Sequence, residues 1–184
     1  MRWISRIVFF QILKWDLKGS IDPEINKCVI IVAPHTSWYD FFIGILVRNI
    51  LDIQINFIAK KELFKAPYGW YFRWVGGISL DRTSNQKKVE VIANIFNSKK
   101  VFRLALSPEG TRKKTERWKT GFYYIACKAD VPVIPIAFDY SRKTVVISEP
   151  FYTGNFPEQD IAEILQIYSG VSGKVAENFN TPLR

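Results

Sequence analysis

An unbroken apolar run, Cys28-Val29-Ile30-Ile31-Val32-Ala33, constrains this chain more than any other stretch. Apolar residues in succession, without polar alternation, read as a strand buried on both faces. The stretch that follows, Phe41-Phe42-Ile43-Gly44-Ile45-Leu46-Val47, reads as a helix with a wide apolar face, and Thr36 or Ser37 is placed to cap its first turn. A covered strand leading into a helix belongs to a layered α/β architecture. The rest of the chain repeats the alternation. Strands are predicted near 28–33, 55–59, 77–80, 102–106, 133–138 and 144–148, and helices near 3–14, 39–49, 85–97, 118–128 and 158–168. Thr83-Ser84-Asn85-Gln86 has the form of a capping box, with Thr83 as cap and Gln86 three residues on. No internal repeat, low-complexity tract or domain-splitting linker interrupts the 184 residues, which fit one domain or one domain with a short appendage.

Between the first strand and its helix stands His35, the single histidine, with Asp40 after a gap of four residues. Imidazole is the side chain whose unperturbed pKa lies nearest neutrality, so it can accept and return a proton at pH 7. A nearby carboxylate can hold it in the useful tautomer and stabilise the imidazolium that forms. His35 would sit at the carboxyl end of a strand, where open α/β sheets place their ligand crevices. The plainer alternative is a satisfied loop histidine, with Asp40 stabilising the first helical turn.

Net charge is +9, and aromatic residues make up 15% of the chain, more than a core of this size uses. The charge suggests an anionic partner: nucleic acid, an anionic bilayer or a phosphorylated substrate. No recognised nucleic-acid motif accompanies it, so a nucleic-acid-binding module is a remote alternative. Surplus Trp and Tyr suit a membrane interface. Trp3, Ile4, Ile7, Val8, Phe10 and Ile12 fall near helical spacing, flanked by Arg2, Arg6, Lys14 and Lys18. Such a helix lies in a membrane interface or packs on its own domain. The first reading divides the chain into an amphipathic membrane-interface helix at 1–18 and a domain at 19–184. No segment reaches the roughly 18 consecutive apolar residues of a spanning helix. No small-residue cleavage site follows the first apolar stretch, which argues against a signal peptide.

Cys28 and Cys127 both stand among apolar neighbours and read as buried, inert thiols. With no disulfide framework and no Cys/His cluster of zinc spacing, a reducing compartment and no metal site are expected. Positive charge is densest from Lys99 to Lys119, where Lys99, Lys100, Arg103, Arg112, Lys113, Lys114, Arg117 and Lys119 face only Glu109 and Glu116. Lys99 and Lys100 read as a solvated face. The run from Arg112 to Lys119 follows Leu104-Ala105-Leu106 and a Pro-Glu-Gly turn, which places it in a loop beyond another strand end.

Four blocks line up along the chain: His35-Thr36-Ser37-Trp38-Tyr39-Asp40; Gly76-Gly77-Ile78-Ser79-Leu80-Asp81-Arg82, preceded by Lys60-Lys61-Glu62-Leu63; Ser107-Pro108-Glu109-Gly110-Thr111-Arg112; and Val131-Pro132-Val133-Ile134-Pro135-Ile136. Their order and spacing resemble the glycerolipid acyltransferase family, whose best-known members are 1-acylglycerol-3-phosphate acyltransferases. The resemblance covers residues 28 to about 140. It implies a single glycerol-3-phosphate acyltransferase-like α/β domain, a mixed sheet flanked by helices. It also implies an O-acyltransferase that moves a fatty acyl group from acyl-CoA or acyl-ACP, the acyl carrier protein thioester, to a lysophospholipid hydroxyl. The foremost acceptor is 1-acylglycerol-3-phosphate, giving phosphatidic acid; a lyso-aminolipid or another lipid alcohol is the alternative, and a hydrolase a further one.

By that resemblance His35 is the general base and Asp40 its orienting partner, the His-x4-Asp motif of the family. Transfer is then direct. The residues agree, since neither cysteine has a reactive context and no Gly-x-Ser-x-Gly elbow supplies a serine nucleophile. Arg82 and Arg112 follow matched motifs and suit an acceptor phosphate, because a guanidinium pairs with two oxygens. Lys60, or its neighbour Lys61, adds charge there. Glu109, Gly110 and Thr111 shape the acceptor site, Glu109 orienting an arginine or the acceptor hydroxyl. Ser107 stands where the family usually carries an aromatic residue, and Val131–Pro135 is read as structural. No bound cofactor is implied. The partners implied are the lysophospholipid, the acyl donor and an anionic membrane surface, with peripheral attachment at the cytoplasmic face of the cell membrane.

Overall fold

The structure, a computed structural model, describes residues 2–59, 61–65, 67–79 and 85–179. Its strands are β1 (Asp16–Lys18), β2 (Lys27–Ala33), β3 (Asn56–Ala59), β4 (Gly77–Ser79), β5 (Phe102–Leu106), β6 (Val133–Asp139) and β7 (Thr144–Ile147). They form one sheet in the order β1-β7-β6-β2-β5-β3-β4. β2 lies parallel to β5 on one side and to β6 on the other, Val29 standing opposite Leu104 and Val133. β3 and β4 continue parallel beyond β5. β7 runs antiparallel to β6, and β1 runs parallel to β7. The sheet is mixed and flanked by helices, as expected. The helices are α1 (Arg2–Arg6), α2 (Tyr39–Leu51), α3 (Gly69–Trp74), α4 (Asn85–Ser98), α5 (Gly121–Ala129) and α6 (Pro157–Gln166).

The apolar run that opened the sequence reading is the centre of the molecule. Val29, Ile31 and Ala33 join the core built with Phe96, Phe122 and Ile164 of α4, α5 and α6. Cys28 and Ile30 join the opposite core with Phe9 and with Ile43 and Val47 of α2. Side chains alternate across a strand, so a strand covered on both faces shows no polar alternation. Because β2, β5 and β6 are parallel, the residues following them emerge at one edge of the sheet. Those residues carry His35, Glu109 and Tyr140.

The N-terminal segment is helical but not one regular helix. α1 passes into wider π-type turns over Ile7–Ile12, with the Leu13 N–H donating to the Val8 carbonyl at 2.9 Å. Phe9 is fully buried, while Trp3 is 73%, Ile4 58% and Ile12 65% exposed. Asp16–Lys18 joins the sheet as its edge strand. Among the described residues no helix is long and apolar enough to cross a membrane.

Two sequence expectations need correction. Cys28 is buried, and burial pushes its thiol up to about 12. Cys127 is exposed. α5 buries Phe122, Tyr123, Ile125 and Ala126, so Cys127 falls with Tyr124 on its outer side, where apolar sequence neighbours do not cover it. Arg103, counted with the basic run, is buried instead, donating to the Ile25 carbonyl at 2.7 Å and the Pro23 carbonyl at 2.8 Å. The capping box falls partly on Thr83 and Ser84, which lie outside the described residues.

Candidate active site

His35 follows β2 directly, on the loop that enters α2. Its Nδ1 lies 3.2 Å from Asp40 Oδ2, and its side chain is 27% exposed against 2% for Asp40. The loop holds the carboxylate for this purpose. The Ser37 N–H donates to Asp40 Oδ2 at 2.9 Å, and the Tyr140 hydroxyl donates to Asp40 Oδ1 at 2.5 Å. Burial, then the bond to Asp40, raises the Tyr140 phenol well above its ordinary range, so it stays a donor. A buried carboxylate with three donors is compensated for its desolvation and fixed in place. Nδ1 is thereby committed, while Nε2 has no protein partner among the described residues. This is the arrangement a neutral imidazole needs to accept a proton from a bound hydroxyl.

Glu109 emerges after β5 and lies beside the same loop. Its Oε1 accepts the His35 backbone N–H at 2.6 Å. Glu109 is 2% exposed, and its Oε2 has no hydrogen-bond partner among the described residues. Burial is the main cause that lifts this carboxyl to about 7, against the opposing pull of the His35 N–H. The loop's other side is held by the C-terminal segment. The Val175 N–H donates to Thr36 Oγ1 at 3.1 Å, and a Cβ on Gly173 would meet Thr36 at 2.8 Å. Thr36 therefore braces the loop instead of capping α2. The Ser37 hydroxyl accepts the Tyr39 N–H at 3.2 Å.

The structure thus joins His35, Asp40 and Glu109. Gly110 follows Glu109 with φ +65°, and an added Cβ would lie 2.6 Å from Lys119 Nζ. The basic loop folds back here, with the Lys119 N–H on the Pro108 carbonyl at 2.7 Å. Thr111 and Arg112 lie exposed beyond it and make no hydrogen bond to His35 or Asp40 among the described residues. Lys60 and Arg82 lie outside the described residues. Sequence reasoning missed Tyr140 and Lys174, whose ammonium sits 3.6 Å from the centre of the Tyr39 ring. No group of His, Cys, Asp and Glu able to hold a metal ion occurs among the described residues.

The family model described as Acyltransferase matches residues 18–139. The chain belongs to the acyltransferase family. His35, Asp40 and Glu109 all lie within that acyltransferase match; Tyr140 lies just past it. Over 139 residues the chain is 30% identical to the 1-acyl-sn-glycerol-3-phosphate acyltransferase of Salmonella typhimurium, covering 72% of this chain and 56% of that protein. It is 30% identical to the enzyme of the same name from Escherichia coli over 130 residues, 67% of this chain and 52% of the other. The chain spans about half the length of these curated relatives. The solved 1-acyl-sn-glycerophosphate acyltransferase of Thermotoga maritima has the same fold, with a TM-score of 0.54 and 21% identity over 94% of this chain and 80% of that one.

Proposed function

We propose that this protein transfers a fatty acyl group from an acyl thioester to the hydroxyl of 1-acylglycerol-3-phosphate, giving phosphatidic acid. The observation that carries the reading is the His35–Asp40 pair, closed at Nδ1 and open at Nε2. His35 Nε2 takes the acceptor hydroxyl's proton as that oxygen attacks the thioester carbonyl. The tetrahedral adduct collapses, the C–S bond breaks, and the imidazolium returns its proton to the leaving thiolate. Asp40 holds the tautomer and stabilises the imidazolium. Glu109 positions the His35 backbone from below.

Arg112, with Lys60 and Arg82, supplies cations for the acceptor phosphate, and Gly110 and Thr111 shape its loop. The names of the relatives support the acceptor; the family's reaction supports an acyl-CoA or acyl-ACP donor. The exposed side of residues 1–18 serves as the membrane-interface segment, while Phe9 and β1 within that stretch complete the core and sheet of the catalytic domain at 19–184. That places the protein peripherally on an anionic membrane, at the cytoplasmic face. Exposed Trp3 and Ile4 favour this attachment.

The test is acyl transfer from a labelled thioester to 1-acylglycerol-3-phosphate in detergent or liposomes. Wild type should form phosphatidic acid, and His35→Ala should lose on the order of 10²–10⁴ in rate while melting normally. Full turnover by His35→Ala rejects the base. Product only with a lyso-aminolipid moves the acceptor and keeps the mechanism, whereas thioester cleavage without lipid product replaces transfer by hydrolysis.

A further inference from the structure

A second site lies at the opposite edge of the sheet. A cleft of about 720 Å³ opens between the end of α2, α3 and the starts of β3 and β4. These strands run parallel to β2 through β5, so the cleft is at the amino edge, away from His35. α2, 13 residues long, spans the gap, about 20 Å at 1.5 Å per residue.

Arg2, Arg48, Arg73 and Lys99 line the cleft, with Asp52 the single acid among the described residues there. Asp52 pairs with Arg2 at 3.6 Å, both exposed. The other three cations have no carboxylate partner among the described residues. Arg48 donates to the Val75 carbonyl at 2.9 Å; Arg73 donates to the Phe64 carbonyl at 3.1 Å with its guanidinium 5.8 Å from the centre of the Phe64 ring, and among the described residues each fork has donors to spare. Lys99 lies 5.2 Å from the centre of the Phe102 ring. Burial without a counter-ion also pushes the Arg48 pKa below its ordinary value. Asn56, 5% exposed, completes the wall. Its Nδ2 donates to the Gly76 carbonyl at 3.2 Å, and its Oδ1 is buried with no donor among the described residues.

We propose that this cleft binds the headgroup of an anionic phospholipid, its phosphate held by Arg48, Arg73 and Lys99. A cleft lined by three cations without carboxylate partners among the described residues suits a phosphate. The rim selects a lipid over a free phosphate ester. Trp74 lines the cleft and is 56% exposed, Trp70 precedes it by four residues at 69%, and Trp3 and Ile4 follow Arg2. Tryptophan beside cations is the composition of a bilayer interface. The site is independent of the catalytic reading, because its ligand is not the acyl acceptor and its assay measures no turnover.

The test is co-sedimentation of the full chain with phosphatidylcholine vesicles, with and without phosphatidylglycerol, at physiological salt. Arg48→Gln removes a cation, and Gln54→Glu adds a carboxylate to the cleft wall without deleting a hydrogen bond seen in the structure. Gln159→Glu makes the same charge change on α6, as a control. Wild type should prefer the phosphatidylglycerol vesicles. Arg48→Gln and Gln54→Glu should each weaken that binding about fivefold or more, and Gln159→Glu less than about twofold. Unchanged melting of Gln54→Glu keeps the result interpretable if Arg48→Gln fails to fold. Equal weakening by Gln54→Glu and Gln159→Glu would reduce the effect to overall charge and overturn the site. Displacement of wild type from vesicles by millimolar glycerol 3-phosphate would assign the cleft to a free phosphate ester and overturn the lipid ligand; retention supports it.

Discussion

Asp40 has no donor to spare. Its two oxygens take Ser37 N–H, Tyr140 O–H and the imidazole, so each partner's removal has a separate signature. Asp40→Asn offers an amide where Nδ1–H needs an acceptor, and should lower kcat on the order of 10²–10⁴ with little change in acceptor KM. Tyr140→Phe strands Asp40 Oδ1 in the interior. It should cost about 1–3 kcal/mol in urea unfolding and reduce kcat less than Asp40→Asn does. Equal losses in kcat would mean that the phenol touches the reacting atoms. Glu109 gives a pH signature. Its folded pKa is raised to about 7 by burial, so the folded state holds this proton more tightly than the unfolded chain. The stability it contributes is full below about pH 4.5, near its ordinary value, and is lost as pH rises through about 7. Wild-type melting temperature should therefore fall over that window by more than that of Glu109→Gln, which has no proton to lose; parallel profiles would contradict the assignment. His35 and Asp40 were legible because six consecutive positions of sequence carry both. Tyr140 was not, since it reaches Asp40 across 100 residues. Only the parallel alignment of β2 and β6 brings it there.

At the scale of elements, length and two-sided burial decided what could be read. β2, β5 and β6 are apolar throughout or nearly so, and their helices bury one clear face, so their bounds fall within a few residues of expectation. β1 was missed because Asp16-Leu17-Lys18 is too short to show a period and sits at the edge with only Leu17 half-buried. α3 was missed because its six residues are mostly aromatic and exposed, which neither a core helix nor a strand pattern matches. A glycine holds α3 to β4. Gly76 has φ +95°, and a Cβ there would lie 2.4 Å from the Ile55 carbonyl oxygen. Its own carbonyl accepts from Phe57 N–H at 3.1 Å and from Asn56 Nδ2 at 3.2 Å. Gly76→Ala should therefore destabilise by about 2 kcal/mol or more, since both the backbone region and the space are wrong for a side chain. Because the strain sits at the amino edge, acyl transfer at temperatures below melting should persist. Loss of kcat in a variant that still melts cooperatively near wild type would show that β4 communicates with the His35 loop.

Across the whole molecule, the proposed chemistry and the proposed membrane attachment fall on different surfaces. The carboxyl edge carries the imidazole and its supports, while the N-terminal segment presents apolar side chains to solvent on a chain of net charge +9. On the proposed reading that segment combines two tasks in one stretch of sequence. Phe9 fills the core beneath α2 and is fully buried, whereas Trp3 and Ile4 on the preceding turns remain mostly exposed. A helix that only packed on its domain would turn its largest side chains inward, and a free interfacial anchor would leave Phe9 out as well. The two roles separate by mutation. Phe9→Ala should cost about 3–5 kcal/mol of stability through the cavity it leaves. Trp3→Ala with Ile4→Ala should change stability by less than about 0.5 kcal/mol, as exposed positions do. The same pair should weaken binding to anionic vesicles on the order of tenfold, because each side chain gains apolar burial only when it enters the interface. Raising salt should weaken the residual binding of the pair more steeply than that of wild type, since charge alone then holds it. Vesicle binding that survives the double substitution unchanged would remove the N-terminal segment from the membrane contact and leave attachment to other surfaces.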